Sequence, residues 1–466
     1  MLAKFKIDCL SDHQHSQKTQ ELQFTKTGSV TCESTASASL ETTSLALPGD
    51  AGPRVFRPVQ YLGSKLRVLD AITSLARDVA PQDGGAVDLF SGSTVVSQAF
   101  AASGYRTTAV DTQAYARVFA QALLGIDRAS GTEVKADTLI FEAENALAQG
   151  SRWTILAQEE RSLLERANAT ALRSFEANLP LAWRLGQVEA DPEAPLTSFY
   201  AGSYFGVRQA LQLDALGSVI ESPASGLDSW QRATAKTALM HAASRIVHSA
   251  GKHFAQPLKV RAGNTAFHDR RLLSDRAIDV ASVFREACAT INSVAPRIDA
   301  GHHAETDSAE RFVAKPGGAA KLYYLDPPYT AQQYSRFYHI LETIATNALP
   351  RLPAGSTPTT GIYPCNRYKS AFSSRRRAAN ALAAILNRLA ALKATAIVSY
   401  SVSARGSDGN ARMIGLEELL AACRQEFGGR NVEMIEFAHR YRQFNSGENA
   451  NDGRDDKEVL VLCRSA

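Results

Sequence analysis

The chain of 466 residues is poor in cysteine, with six (Cys9, Cys32, Cys288, Cys365, Cys423 and Cys463), and no two of them form a C-x-x-C pair. That scatter leaves neither a zinc ligand set nor a disulfide framework, so reduced thiols and no metal centre are expected. The isolated histidines His241, His248 and His253 are read as satisfying local hydrogen bonds, not as ligands. No run of about 18 apolar residues is present, so no helix is expected to span a membrane. Behind Met1-Leu2-Ala3-Lys4 there is no apolar core with a small-residue cleavage site, and the expected location is cytoplasmic. A full G-x-G-x-x-G loop is also missing, which weighs against a nicotinamide-dependent oxidoreductase. The net charge of +4 excludes little, but its distribution is uneven. Residues 133–193 hold eleven Asp/Glu against six Lys/Arg, whereas residues 228–297 hold eleven Lys/Arg against five Asp/Glu. The basic half fits either a polyanion or a solvated helical surface.

What the chain does have is ordinary globular composition, 45% hydrophobic and 21% charged, with enough length for a catalytic body and a large insertion. Residues 1–52 are rich in Ser, Thr and Ala without sustained periodicity, and read as a disordered extension. From there the pattern is helix (65–80), strand (85–90), turn (91–94), helix (95–103), strand (106–111) and a helix from 114. This alternation predicts an α/β fold with a parallel sheet covered on both faces. Residues 133–297 are periodic as helices and offer no buried parallel strand, which predicts an inserted, mainly helical domain between catalytic parts at 53–132 and 298–466. After the insertion come the strand "KLYYLD", a helix beyond Ser335, a helix over 375–392, the strand "ATAIVSYS", a helix over 416–427, and the strands "VEMIEFA" and "EVLVLC". A polar loop containing residues 445–457 joins the last two, so the sheet is expected to be mostly parallel with an antiparallel edge.

Ligands of open α/β sheets lie beyond the carboxyl ends of the strands, and three stretches end there. "VDLFSGST" puts Asp88 at a strand end and Gly92 in the turn, where backbone can approach a ligand at a helix N-terminus. "TAVDTQAY" ends its strand in Asp111, about twenty residues on, placed either to accept the hydroxyls of a ribose or to cap the next helix. "YLDPPY" ends in Asp326, Pro327, Pro328 and Tyr329. Two prolines remove two donors and fix φ, so the Asp326 and Pro327 carbonyls are absorbed neither by a longer strand nor by a new helix. A carboxylate beside a rigid carbonyl makes a paired acceptor for an exocyclic NH2, and Tyr329 offers a flat face to a planar heterocycle.

With these residues in view, the chain resembles the Dam-like adenine-N6 DNA methyltransferases, in which a D-L-F-x-G-S-G motif precedes D-P-P-Y and the target-recognition domain lies between them. The resemblance extends from about Arg57 to Leu462. It implies a Rossmann-like S-adenosyl-L-methionine-dependent sheet, double-stranded DNA as partner, and methyl transfer to N6 of an adenine at a specific short sequence. By the same resemblance "VQYLGSKLRVLDAI" contributes Tyr61, Gly63, Ser64 and Lys65 to the cofactor site, and Asp88, Phe90, Ser91, Gly92 and Asp111 follow by position. "HAETDSAERF" resembles the segment whose acid contacts the cofactor adenine, which nominates Asp307. "GSYFGVRQALQLDAL" matches a stretch within the insertion. Thr94 departs from the pattern, since the family has glycine there, and this puts cofactor affinity in question.

An adenine amine is a poor nucleophile because its lone pair is delocalised. Acceptors at Asp326 and Pro327 would favour the pyramidal nitrogen of the transition state. A base inside a duplex must first flip out, which Tyr329 stacking would help to offset. Arg336, near the cleft mouth, and "RYKSAFSSRRR", with Arg367, Lys369, Arg375, Arg376 and Arg377, are expected to hold DNA phosphates. The last three would fall in the first turn of the helix over 375–392, where the macrodipole disfavours cations unless an anion is bound. RNA or a protein amide as substrate, and a catalytically silent DNA-binding relative, are the alternative readings. A partner nuclease or defence system, or an orphan role, is compatible with the same motifs.

Overall fold

The structure, a computed structural model, describes residues 55–258, 265–316, 320–353, 362–401, 411–437 and 458–465. The expected extension over 1–52 and the polar loop over 445–457 lie outside the described residues. Seven strands form one sheet: β1 (Ala86–Asp88), β2 (Thr107–Asp111), β3 (His303–Thr306), β4 (Leu322–Leu325), β5 (Thr395–Ser401), β6 (Val432–Phe437) and β7 (Glu458–Cys463). Their order is β3-β2-β1-β4-β5-β7-β6. The first five are parallel, and β7 runs antiparallel to both β5 and β6. This is the mostly parallel, Rossmann-like arrangement with an antiparallel edge that the strand pattern predicts.

Alternation along the strands explains why both faces are covered. In β4, Leu322 and Tyr324 face one way, with Ile397 of β5 and Leu460 and Leu462 of β7. They pack on α1 (Leu69–Val79) and α2 (Val95–Ala102) through Leu69, Ile72, Val95 and Phe100. Tyr323, Leu325, Val398, Val459 and Val461 face the other way, onto the helices Ala378–Ala391 and Leu416–Phe427. A period of two that buries every position marks strands sandwiched between helices. β3 escapes sequence reading because it is an edge strand of four residues with only Ala304 buried.

Residues 133–297 carry helices at Ala136–Ala148, Thr154–Glu165, Ala169–Ala177, Pro195–Tyr200, Val207–Glu221, Ser229–Ile246, Thr265–Ala277 and Val280–Val294. All but Thr265–Ala277 share one hydrophobic core with α3 (Ala114–Leu123) and the helix His339–Thr346. Buried Trp230 fixes the seam by donating its indole N–H to the Ala122 carbonyl at 2.9 Å. The Arg128 guanidinium lies 4.0 Å from the centre of the same indole and donates to the carbonyls of Thr132, Asn292, Ala295 and Pro296. One side chain thereby ties together the two places where the chain leaves and re-enters the sheet region. No helix among the described residues is long and apolar enough to cross a membrane.

Candidate active site

Strand order reverses at β1, because β2 lies on one side of it and β4 on the other. A crevice must open above such a switch point, and the carboxyl ends of β1 and β4 supply its walls. The cleft found there holds about 880 Å³ of space, part of it open to solvent. Tyr61, Gly63, Ser64, Lys65, Asp88, Phe90, Ser91, Gly92, Asp111, Asp326 and Pro328 all line it, so four stretches far apart in sequence meet in one place.

The turn after β1 is built by backbone bonds from Ser91 N to the Val110 carbonyl and from Leu89 N to the Tyr324 carbonyl, each 3.0 Å. Gly92 has φ +46°, and a Cβ at this position would lie 2.7 Å from the Tyr61 ring. Glycine is therefore required by the packing of Tyr61 as well as by the turn. That ring stacks on Tyr338 with centroids 4.6 Å apart, and its hydroxyl meets that of Tyr115 at 3.2 Å. Asp111 closes the opposite wall: Oδ2 accepts from Gly92 N and Oδ1 from Gln113 N, both at 2.9 Å. It braces the turn, while the N-cap of α3 is Gln113.

Asp88 is 1% exposed. Oδ2 accepts from Ser97 Oγ at 2.7 Å, whereas Oδ1 has no hydrogen-bond partner among the described residues. Burial pushes its pKa up to about 7 against the opposing bond from Ser97. The hydroxyl of Ser64 is likewise buried and unpartnered among the described residues. Both orphans belong to residues lining the cleft, and an unsatisfied buried polar atom asks for a ligand.

Thr94 sits behind the turn at φ +63°, in the left-handed region that a β-branched residue rarely adopts. It is fully buried and does not line the cleft. Oγ1 donates to the Ser93 carbonyl at 2.7 Å and accepts from Gln98 Nε2 at 3.3 Å, which offsets part of the strain.

The corner after β4 is held by ions. Lys65 Nζ approaches Asp326 Oδ1 at 3.1 Å, Glu458 Oε1 at 2.8 Å and the Gly63 carbonyl at 3.1 Å. Burial disfavours this ammonium, but the Asp326 and Glu458 carboxylates outweigh it and hold the Lys65 pKa well above its usual value. Burial also raises the Asp326 pKa, Lys65 opposes the rise and Glu458 adds to it. Tyr329 donates its hydroxyl to Asp326 Oδ1 at 2.6 Å. Its ring lies 5.2 Å from Lys65 Nζ and 5.3 Å from the Arg412 guanidinium, edge-on to Tyr400. Pro327 is buried, and its neighbour Pro328 faces the cleft.

Asp307 behaves differently from the other nominated acids. It follows β3, is 6% exposed, and is paired with Arg311 at 3.0 Å and Lys315 at 2.7 Å. Despite some burial, those cations pull its pKa below the usual carboxylate range. Asp307 does not line the cleft; Glu310, one turn on, does.

Of the basic residues, Arg336 lies over the Phe337 ring at 5.0 Å and Arg367 over the Tyr363 ring at 4.6 Å, each with Nε buried and unpartnered among the described residues. Lys369, Arg375, Arg376 and Arg377 are exposed. The helix expected over 375–392 begins at Ala378, with Arg377 as its N-cap. The Ser374 carbonyl accepts from both Arg377 N and Ala378 N at 2.9 Å, forming a turn that carries the three arginines ahead of the helix. Arg377 thus occupies the N-cap and Arg375 and Arg376 precede it, so all three cations stand at the positive end of the helix dipole. Their segment is fastened to the catalytic corner, since Ser335 Oγ donates to the Tyr368 carbonyl at 2.6 Å and Ser373 Oγ to the Gln332 carbonyl at 2.9 Å.

Sequence reasoning missed Glu458, Glu310 and Arg412. A signal for Glu458 did exist: a strand running antiparallel to the others begins where they end, so its first residue reaches the cleft.

The family model described as D12 class N6 adenine-specific DNA methyltransferase matches residues 61–170 and 285–352. Those two segments contain the Tyr61 loop, Asp88, Asp111, Asp307 and the Asp326–Tyr329 corner. No curated protein matches the chain.

Proposed function

The chain belongs to the D12 class of N6 adenine-specific DNA methyltransferases, and from that premise we propose that it transfers a methyl group from S-adenosyl-L-methionine to N6 of an adenine flipped out of double-stranded DNA at a specific short sequence. The observation that carries this reading is the meeting of the β1 turn, Asp111 and, from the corner after β4, Asp326 and Pro328 around one cleft, with the Tyr329 hydroxyl bonded to Asp326 behind them.

The residues present fit such a cofactor. The cleft is lined by the carboxylates of Asp88, Asp111, Glu310 and Asp326, which suit a cationic nucleoside, and the orphaned atoms of Asp88 and Ser64 provide polar partners for it. S-adenosyl-L-methionine, when bound, supplies an electrophilic methyl group on a sulfonium. Asp111 would hold the ribose hydroxyls, since its carboxylate lines the cleft beside the turn that it braces through Gly92. Tyr61, stacked on Tyr338, would form the aromatic wall beside Gly92.

Asp326 and the Pro327 carbonyl would take the two N6–H bonds of the adenine and hold the nitrogen in its pyramidal, nucleophilic shape. N6 gains a methyl group and must lose one proton, and the Asp326 carboxylate is placed to receive it. Extruding the base costs a few kcal/mol. The Tyr329 ring would return part of that by stacking, about 1–3 kcal/mol, once its hydroxyl has left Asp326. Arg336, Arg367, Lys369 and the Arg375–Arg377 turn would track phosphates beside the cleft, leaving base-edge readout to the helical region over 133–297.

Transfer of labelled methyl from S-adenosyl-L-methionine to unmethylated duplex DNA, RNA and a glutamine peptide tests the assignment. Label in the DNA alone, recovered as N6-methyladenine, is the expected result. Label in RNA or peptide, or in none, contradicts it.

A further inference from the structure

The motif ends at Tyr329, yet a second carboxylate completes the corner. Glu458 opens β7 opposite Ser401, and the antiparallel direction of β7 brings it to the carboxyl ends of the parallel strands. Its side chain is 12% exposed. Oε1 lies 2.8 Å from Lys65 Nζ, 3.3 Å from Ser399 Oγ and 3.5 Å from the Tyr329 hydroxyl. With Asp326 and the Gly63 carbonyl, Glu458 accounts for all three N–H bonds of the Lys65 ammonium.

We propose that Glu458 is a positioning residue for methyl transfer: by sharing Lys65 it prevents a closed one-to-one pair with Asp326, and so keeps the Asp326 carboxylate available to the adenine amine. This rests on the reading that Asp326 accepts N6–H. Two carboxylates around one cation retain a net negative charge where positive charge develops on N6, whereas a single buried pair would neutralise it. Without Glu458, Lys65 has one carboxylate to satisfy, and pulling Asp326 away from it would oppose the reaction.

The charged and titratable groups facing Asp326 are Lys65 ahead of α1, Asp88 from β1, Tyr324 from β4, Tyr329 from the corner and Glu458 from β7. Among them Lys65 lowers the Asp326 pKa and Glu458 raises it. Replacing Glu458 by glutamine should therefore move the acid limb of the rate profile to lower pH while lowering the plateau.

The test is single-turnover methyl transfer to unmethylated plasmid DNA across pH, for wild type, E458Q and E458D. S-adenosylhomocysteine binding and thermal melting are measured alongside. Expected are at least a tenfold drop in the E458Q plateau, an acid limb shifted to lower pH, cofactor binding near wild type, and substantial recovery in E458D. A wild-type rate and profile in E458Q overturns the proposal, as does a loss that follows melting or cofactor binding with the acid limb unmoved. Should E458Q not fold, E458A decides by the same readouts: a lowered plateau with the acid limb moved to lower pH and cofactor binding intact supports the role, and a wild-type plateau or an unmoved acid limb overturns it. An inactive wild type would sink the methyltransferase reading itself, whereas an active wild type with an unaltered E458Q sinks only the role of Glu458.

Discussion

Tyr329 and Lys65 meet on one oxygen: the tyrosine hydroxyl donates to Asp326 Oδ1 at 2.6 Å, and the ammonium approaches the same atom at 3.1 Å. The group expected to stack on the target base thus occupies the acceptor expected to take its amine. Y329F removes the hydroxyl and keeps the ring, so methyl transfer should stay within about tenfold of wild type, a hydrogen bond being worth about 1 kcal/mol net. Y329A loses the stacking face, worth about 1–3 kcal/mol, and should fall by about 10- to 100-fold. Transfer rates for the two variants on one DNA check this; equal losses would contradict it.

Asp88 gives a pH dependence whose sign is fixed. Burial raises its pKa in the folded protein to about 7, above the ordinary carboxylate value, so the fold binds more protons than the unfolded chain in that window. The contribution is present at low pH and is lost as pH rises through about 7. D88N, which never ionises, should gain stability relative to wild type as pH rises from about 4 to about 7 and keep that gain above it, and a cationic ligand in the cleft should shrink the difference. Thermal melting of both proteins with and without S-adenosyl-L-methionine measures it.

Thr94 holds a positive φ that glycine would adopt without strain. T94G should stabilise the protein by about 1 kcal/mol, since left-handed backbone costs a non-glycine residue about 1–2 kcal/mol and the Thr hydroxyl bonds return part of it. Because Thr94 does not line the cleft, cofactor affinity should change little. Denaturant unfolding and calorimetric titration separate the two effects.

The exposed arginines at 375–377 precede a helix and adjoin the catalytic corner. Replacing all three by alanine should weaken DNA binding and flatten its logarithmic salt dependence by about 1 for each phosphate that an arginine had neutralised. An unchanged slope would show that they do not touch the backbone of the DNA.

Strands β1, β2 and β4 were legible because each is a short buried run that closes on an acid, whereas the order that makes β1 the switch point came from the folded sheet. Asp88, Asp111 and Asp326 were legible for the same reason. β3 was not, since one buried alanine gives no period. Glu458 depends on strand direction, and the true start of the helix at Ala378 depends on a turn around Ser374 that local propensity does not distinguish from a first helical turn. The constraint on Gly92 came from Tyr61, about thirty residues earlier, a contact that only the folded chain creates.

The most direct measurement is single-turnover transfer by wild type and D326A on the same unmethylated duplex, with the modified positions mapped by sequencing. N6-methyladenine at a recurring short sequence with wild type, and a rate lower by about 10²–10³-fold in D326A with cofactor binding retained, is the predicted result. Equal rates and identical methylation patterns from the two proteins would contradict it.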